Sequence, residues 1–327
     1  MTRRLQVAAE IFPVDGAFTI SRGSRTEIRV VTVTLTEDGY QGQGECVPYA
    51  RYGETVEGVM AEIEALAPEI AAGLNRQGLQ LRLPPGAARN ALDCAFWDLE
   101  AKRLGRPVWQ LAGLAEPKPL QTAFTLSLAS PESMQAVAAD NAHRPLLKVK
   151  LGGEGDLARI EAVRRGAPKA SIIVDANEGW TVEAYRRLAP DLLRLGVVLV
   201  EQPLPAGDDD ALLTLDRILP VCADESCHTA STLETLKGKY DALNIKLDKT
   251  GGLTEALALR DAARSAGFGV MVGCMLGTSL AMAPAFLVAQ GADYVDLDGP
   301  LLLGQDRVSP IAYEGSLMQI PPAALWG

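Results

Sequence analysis

The feature that most constrains the fold of this chain is a rhythm that begins near residue 120. Short runs rich in Val, Ile and Leu recur, each followed by a segment of helical period. Eight candidate strands read as Thr122–Leu126, Leu147–Leu151, Ile172–Asn177, Val197–Pro203, Val221–Ser226, Ala242–Leu247, Val270–Cys274 and Tyr294–Asp298. Their starts lie 21–28 residues apart, which leaves room for a strand, a loop and a helix in each unit. The helices between them read as Ala158–Arg165, Glu183–Leu195, Ala211–Leu219, Ser231–Lys237 and Leu253–Ala266. In the last of these, Leu257, Ala258 and Ala262 share one face. Eight such units predict an α/β fold, a closed parallel (β/α) barrel. A doubly wound open sheet is the alternative.

The first 110 residues follow another pattern. Leu5–Ile11, Arg25–Thr36 and Tyr40–Val47 read as strands of an antiparallel meander, with an Asp38-Gly39 turn signal between the last two. Helical spacing follows in Val56–Leu66 and Ala87–Leu104. Beyond about residue 305 the barrel period is lost. The expected organisation is an N-terminal α+β capping domain over 1–115, the barrel over 116–305, and a C-terminal segment over 306–327 that returns to the cap. A chain of 327 residues that is 48% hydrophobic can bury the core this requires.

The bulk charge narrows the partners. A net charge of -10 and a pI near 4.9, with no stripe of Lys or Arg, argue against nucleic acid. No apolar run is long enough for a membrane span. The Met1-Thr2-Arg3-Arg4 start leads into no leader-type apolar region. Five scattered cysteines suit reduced thiols and a cytoplasmic location, and two histidines make a Cys/His zinc site improbable. Gly152-Gly153-Glu154-Gly155 and Gly251-Gly252 complete no phosphate-binding motif and read as loops. Asp208-Asp209-Asp210 reads as a solvated helix start, and His143 and His228 receive no role.

Catalytic groups of such a barrel stand at the C-terminal ends of its strands. There the chain places Lys148 and Lys150, Asp175, Glu201, Asp224, Lys246, and Asp296 with Asp298, where a purely structural strand would carry Val or Ile. Asp175 to Glu201 is 26 residues, Glu201 to Asp224 is 23, and Asp224 to Lys246 is 22. One acid per successive unit sets three carboxylates side by side. They would repel each other unless a divalent ion lay between them, and all-oxygen ligation without histidine favours Mg²⁺, with Mn²⁺ also suitable. The competing view is three unrelated strand-end acids paired with surface cations.

Lys148 and Lys150 share one strand face, and Lys246 approaches the acids from the other side. Two amines flanking a metal-bound carboxylate can each reach one face of its α-carbon, while the cation stabilises the enediolate charge. The neighbouring cations should depress a lysine pKa towards neutrality, and Lys148 is suited to that tuning and to contact with a substrate carboxylate. Lys249 reads instead as a solvated loop cation.

Lys148-Val149-Lys150, Asp175, Glu201, Asp224 and Asn244-Ile245-Lys246, in this order, resemble the enolase superfamily, muconate-lactonizing subgroup. Further marks resemble its dipeptide epimerases: Asp296-Leu297-Asp298, Gly273-Cys274-Met275-Leu276, Ser21-Arg22-Gly23-Ser24-Arg25 and Pro48 through Glu54, most like the L-Ala-D/L-Glu epimerases of murein-peptide recycling. The resemblance implies a modified barrel of (β/α)7β type, metal ligands Asp175, Glu201 and Asp224, and the acid/base pair Lys150 and Lys246. The expected substrate is a small dipeptide. Asp296 and Asp298 would suit its ammonium, and Arg25 (or Arg22) a glutamate side chain; Thr122 and Met275 would line the pocket. Surface placement of Arg25 and plain packing of Met275 are the alternatives. Rival functions are o-succinylbenzoate synthesis or cycloisomerisation on the same site, and, further off, a non-catalytic peptide-binding barrel. A homo-oligomer is compatible with all of these.

Overall fold

The computed structural model describes residues 3–327; Met1 and Thr2, with which the leader argument begins, lie outside them. Strands β1 (Arg4–Ile20), β2 (Gly23–Glu37) and β3 (Tyr40–Cys46) form an antiparallel sheet in that order. Asp38 and Gly39 both take positive φ, 53° and 84°, as a two-residue hairpin turn matched to strand twist requires. β1 outruns its apolar stretch. It continues through a register irregularity between Pro13 and Phe18, so the β1–β2 ribbon extends to a tight turn at Ser21-Arg22. Helices α1 (Val56–Ala65), α2 (Ala67–Ala71), α3 (Arg76–Arg82), α4 (Ala87–Leu104) and α5 (Val108–Leu111) complete this region. Val31, Val33 and Leu35 share a core with Ala91, Ala95 and Leu99 of α4.

Eight parallel strands follow: β5 (Phe124–Leu126), β6 (Leu146–Lys150), β7 (Ser171–Asp175), β8 (Val197–Glu201), β9 (Val221–Ala223), β10 (Ala242–Ile245), β11 (Gly269–Gly273) and β12 (Tyr294–Asp296). They pair in sequence order, and the Ala123 N–H donates to Val295 O at 2.8 Å, joining first to last. The sheet is therefore a nearly closed barrel rather than a doubly wound open one. A short strand β4 (Leu120–Gln121) pairs with the C-terminal hairpin β13 (Tyr313–Glu314) and β14 (Leu317–Met318). Thr122, expected to begin the first barrel strand, thus lies in the join between the two sheets.

The helices are α6 (Pro131–Asp140), α7 (Asp156–Gly166), α8 (Val182–Arg194), α9 (Leu233–Leu236), α10 (Leu247–Thr250), α11 (Leu253–Ser265) and α12 (Ser279–Val288). Two expected helices shrink. Over Ala211–Leu219 there is only a 3₁₀ turn, Asp210–Leu213. Buried Leu212 and Leu215 lie three apart, a spacing that such a turn satisfies. Asp209, which would cap a helix there, is not solvated: its carboxylate accepts from Lys239, Tyr240 and Ser226 instead. Ser231–Lys237 splits into a 3₁₀ turn and the four residues of α9, ended by extended Lys237.

Period two explains the two sides of the barrel wall. Leu147, Val149, Val174, Val200, Val221, Leu243, Val270 and Val295 face outward into the core shared with the helices. Ile173, Leu199, Cys222, Ala242 and Met271 face inward and pack on one another. The C-terminal segment touches both halves: the Tyr313 hydroxyl donates to Leu297 O of the barrel at 2.8 Å, while Trp326 Nε1 donates to Cys94 O at 3.1 Å and Arg307 pairs with Glu10 and Glu45 on the N-terminal side. No helix among the described residues is long and apolar enough to cross a membrane.

The cap is fastened to the barrel beside the site. Arg89 of α4 donates to Thr250 O and Gly251 O, and Asp93 accepts from the Thr254 N–H and hydroxyl. Asp248 Oδ1 accepts from the Val47 N–H (3.0 Å) and from Asn90 Nδ2 (2.9 Å). Burial pushes the Asp248 carboxyl up to about 7, against the pull of those two donors. A folded value above the unfolded one, about 3.9, favours folding while the group is protonated. That contribution is full below about pH 4 and is lost as pH rises to about 7. Asp248→Asn should therefore gain stability relative to the parent as pH rises from 5 to 8. Thermal melts at the two pH values check it; a variant-minus-parent melting temperature that stays flat or falls from pH 5 to 8 counts against the assignment.

Candidate active site

The inward layer fixes what stands above it. Two residues beyond Ile173, Leu199, Cys222, Ala242 and Met271, the alternation sets Asp175, Glu201, Asp224, Asn244 and Gly273 on the same inner face, nearer the mouth. Lys148 and Lys150 rise in the same way above Leu146, and Asp296 and Asp298 above Tyr294. Gly273 has a steric reason. A Cβ there would sit 2.6 Å from the Asn244 side-chain oxygen, so a larger residue would displace that amide.

Asp175, Glu201 and Asp224 are buried and bring their carboxylates together, with one oxygen from each lying within 4.8 Å of the others. Four buried ammonium groups surround them. Lys150 meets Asp175 Oδ2 at 2.6 Å, and Lys246 meets Asp224 Oδ2 at 2.6 Å. Lys148 spans Glu201 Oε2 (2.7 Å), Asp296 Oδ2 (2.8 Å) and Asp175 Oδ2 (3.2 Å). Lys249 is buried against Asp224 and is no solvated loop cation. A buried, all-oxygen donor set converging on one centre fits a hard divalent ion.

The electrostatics follow from these contacts. Burial disfavours the charge on Asp175, but Lys150 and Lys148 outweigh it and hold the carboxyl below its ordinary range. Burial and the nearby Asp175 lift Glu201 to about 7 despite Lys148. Burial also opposes the charge on Lys246; Asp224, with Glu201 and Asp175, outweighs burial and Lys148 and raises the ammonium well above its usual value. Burial likewise opposes Lys148, which Asp296, Glu201 and Asp175 raise. The protein's own groups, without a bound cation, therefore stabilise these two ammonium forms. The acids lie closer and outnumber the cations at each nitrogen.

A cavity opens above the acids. The cap contributes Phe18, Ile20, Arg22, Arg25, Val47, Tyr49 and Tyr52; the barrel contributes Lys150, Asn177, Asp224, Glu225, Lys246 and Cys274 through Leu276. Lys150 ends β6 and Lys246 directly follows β10, strands four apart in a barrel of eight, so they face each other across this space. Met275 lines the cavity and also packs with Val47, Ile28 and Leu303. Thr122 does not line it: its hydroxyl accepts the Leu297 N–H at 2.8 Å, in the join below. Lys148 lies beneath the wall rather than on it, among the acids. Asp298 accepts from the Thr125 N–H, and burial with Asp296 pushes its carboxyl up to about 7.

The two arginines of the ribbon turn behave differently. Arg22 is spent on Glu225, Glu178, Asn177 O and Tyr49. Arg25 borders the cavity over the Tyr49 ring and meets no carboxylate among the described residues.

Several contributors escaped the sequence reading. Gln202, at φ 35°, accepts the Asp224 and Ser226 N–H groups through Oε1 and donates to Tyr240 and Leu204 O through Nε2. Asn177 and Glu178 also take positive φ, 44° and 66°, directly after β7. Left-handed non-glycine residues clustered at strand ends mark a site held in shape by its surroundings. Thr125, Tyr49 and Tyr52 carried no signal beyond their place in quoted motifs or strands.

A capped parallel barrel whose mouth gathers three carboxylates and four ammonium groups has the frame of an enzyme. The chain belongs to the mandelate racemase/muconate lactonizing enzyme family of the enolase superfamily: its residues 2–113 match the N-terminal domain of that family, and residues 132–322 match the enolase C-terminal domain-like model. The L-Ala-D/L-Glu epimerase of Escherichia coli K12 is 49% identical over 93% of this chain and 95% of that one. The N-acetyl-D-glutamate racemase of Pseudoalteromonas is 46% identical over 91% and 95%. An enolase family member from Agrobacterium tumefaciens, solved with sodium and L-Ala-L-Glu, is 55% identical, with a TM-score of 0.98 over 99% of this chain and 100% of that chain. The chain is accordingly an isomerase of the racemase and epimerase type.

Proposed function

We propose that this enzyme epimerises dipeptides at the α-carbon of the C-terminal residue, with L-Ala-D/L-Glu as the best-fitting substrate. The observation that carries the reading is the pair Lys150 and Lys246, facing each other across one cavity above the acidic trio. Asp175, Glu201 and Asp224 would hold Mg²⁺, for which Mn²⁺ could substitute. When bound, the ion supplies positive charge to the substrate carboxylate and so acidifies the adjacent C–H.

Lys150 exchanges a proton with one face of the α-carbon and Lys246 with the other, so that removal and return on opposite faces invert the centre. Lys148 keeps the buried acids neutralised from below and turns positive charge towards the substrate carboxylate. Asp296 and Asp298, buried beside the site and not part of the cavity lining, are assigned to the dipeptide ammonium. Arg25 is free to pair with a glutamate side chain, and Met275 packs against the substrate. On this substrate reading the enzyme serves murein-peptide recycling in the cytoplasm.

A second reading, racemisation of an N-acyl glutamate, is favoured by one observation. Asp296 is already paired with Lys148, and Asp298 is lifted to about 7, so the two acids offer an ammonium less charge than a free pair would. One assay separates the two. Incubation in D₂O with Mg²⁺ should give a one-mass-unit gain and inversion for L-Ala-L-Glu, but neither for N-acetyl-glutamate. Arg25→Met should raise KM for L-Ala-L-Glu more than for L-Ala-L-Leu. Exchange confined to the N-acyl substrate would overturn the dipeptide reading.

A further inference from the structure

Each carboxylate of the acidic trio has one oxygen bonded to a donor at its back, and its other oxygen meets one of the site lysines Lys148, Lys150 and Lys246. Asp175 Oδ1 accepts the Asn177 N–H at 2.9 Å. Glu201 Oε1 accepts from Asn244 Nδ2 at 2.7 Å. Asp224 Oδ1 accepts from Lys249 Nζ at 2.6 Å. The opposite oxygens, Asp175 Oδ2, Glu201 Oε2 and Asp224 Oδ2, are the ones that Lys150, Lys148 and Lys246 meet. The outer donors come from three separate places: the loop after β7, strand β10 and helix α10.

Lys249 is the least expected of them. All three of its N–H groups are used, on Asp224 Oδ1, Asp224 O and Asn244 O. A buried ammonium against a cation-binding carboxylate weakens that carboxylate's pull on any ion, so bulk attraction does not account for it. What it does is fix which oxygen faces inward. Asn244 does the same for Glu201, and its place depends on the absent Cβ of Gly273.

We infer that these outer donors confine the trio to one-oxygen ligation and thereby select a small octahedral cation against calcium. Calcium takes about six to eight oxygens, often two from one carboxylate, at roughly 2.3–2.6 Å; magnesium demands near-octahedral geometry at roughly 2.0–2.1 Å. A carboxylate whose second oxygen is tied cannot turn to offer both. Lys249 and Asn244 are thus positioning residues that act through Asp224 and Glu201.

The inference rests on the trio being a divalent-cation site, and the test separates the two claims. Mg²⁺ and Ca²⁺ are titrated calorimetrically into the full chain, into Lys249→Met and into Asn244→Ala, with circular dichroism to establish folding. The parent should bind Mg²⁺ more tightly than Ca²⁺, and the ratio of the two dissociation constants should fall by about tenfold or more in either variant. A merely structural role would weaken both ions alike and leave the ratio unchanged. A folded variant with the parental ratio, or a parent that prefers Ca²⁺, overturns the inference and leaves the cation site standing. A parent that binds neither ion removes the cation site itself. Should Lys249→Met fail to fold, Asn244→Ala decides.

Discussion

Lys150→Ala and Lys246→Ala are each expected to lower the epimerisation rate by about a thousandfold or more, the upper part of the range for loss of a positioned acid–base group. The argument is stereochemical. Lys150 ends β6 and Lys246 directly follows β10, on opposite sides of the barrel, and each reaches the cavity from its own side. Inversion needs a proton to leave one face and another to arrive on the opposite face, so neither lysine can cover for the other. Hydrogen exchange needs only one of them. Each variant should therefore still exchange the α-hydrogen of one dipeptide stereoisomer in D₂O while failing to invert it, and the two variants should do so with opposite stereoisomers. Loss of folding would not give this pattern. Lys150→Ala leaves Asp175 paired with Lys148, and Lys246→Ala leaves Asp224 paired with Lys249, so no acid of the trio is stranded without a cation. Full epimerase activity in either variant, or exchange of the same stereoisomer in both, excludes the two-base assignment.

The acids and lysines could be read from the sequence because period two is strict in a barrel strand. A charged residue two places above an inward Ile or Leu can only point into the mouth, which is how Asp175 above Ile173 and Glu201 above Leu199 are found. The alternation carries no information about what comes after the strand. Gln202 and Lys249 follow strands, look like ordinary loop polar residues, and acquire their roles only through contacts with Asp224. Thr122 opens the expected strand, but the ladder begins two residues later, at Phe124. Helix α12 was invisible for a different reason. Nearly all of Ser279–Val288 is buried, so no polar face marks a helical period. The reach of the β1–β2 ribbon was also hidden, because Pro13 and the irregularity before Phe18 break the alternation. That ribbon carries Arg22 and Arg25, and the difference between them, one paired and one free, exists only in three dimensions.

Glu201→Gln should be as damaging as loss of a lysine, but through the cation. Glu201 holds the middle place in the acidic arc, accepting from Asn244 on one oxygen and facing Lys148 with the other. Glutamine has the same length and can still accept the Asn244 N–H, so the local packing survives. The negative charge does not. With two carboxylates left of three, Mg²⁺ binding should fall below calorimetric detection and epimerisation by about a thousandfold or more. The metal-free protein should not suffer in proportion. Like charges crowded in a dry site oppose folding, and removing one relieves that repulsion, while Lys148 keeps Asp175 and Asp296 as partners. The melting temperature of the metal-free variant at pH 8 should therefore equal or exceed that of the metal-free parent, even as activity disappears. Added Mg²⁺ should raise the parent's melting temperature and leave the variant's unchanged. A variant that melts far below the parent without metal would make Glu201 a structural residue, and one that still binds Mg²⁺ would move the ion to other ligands.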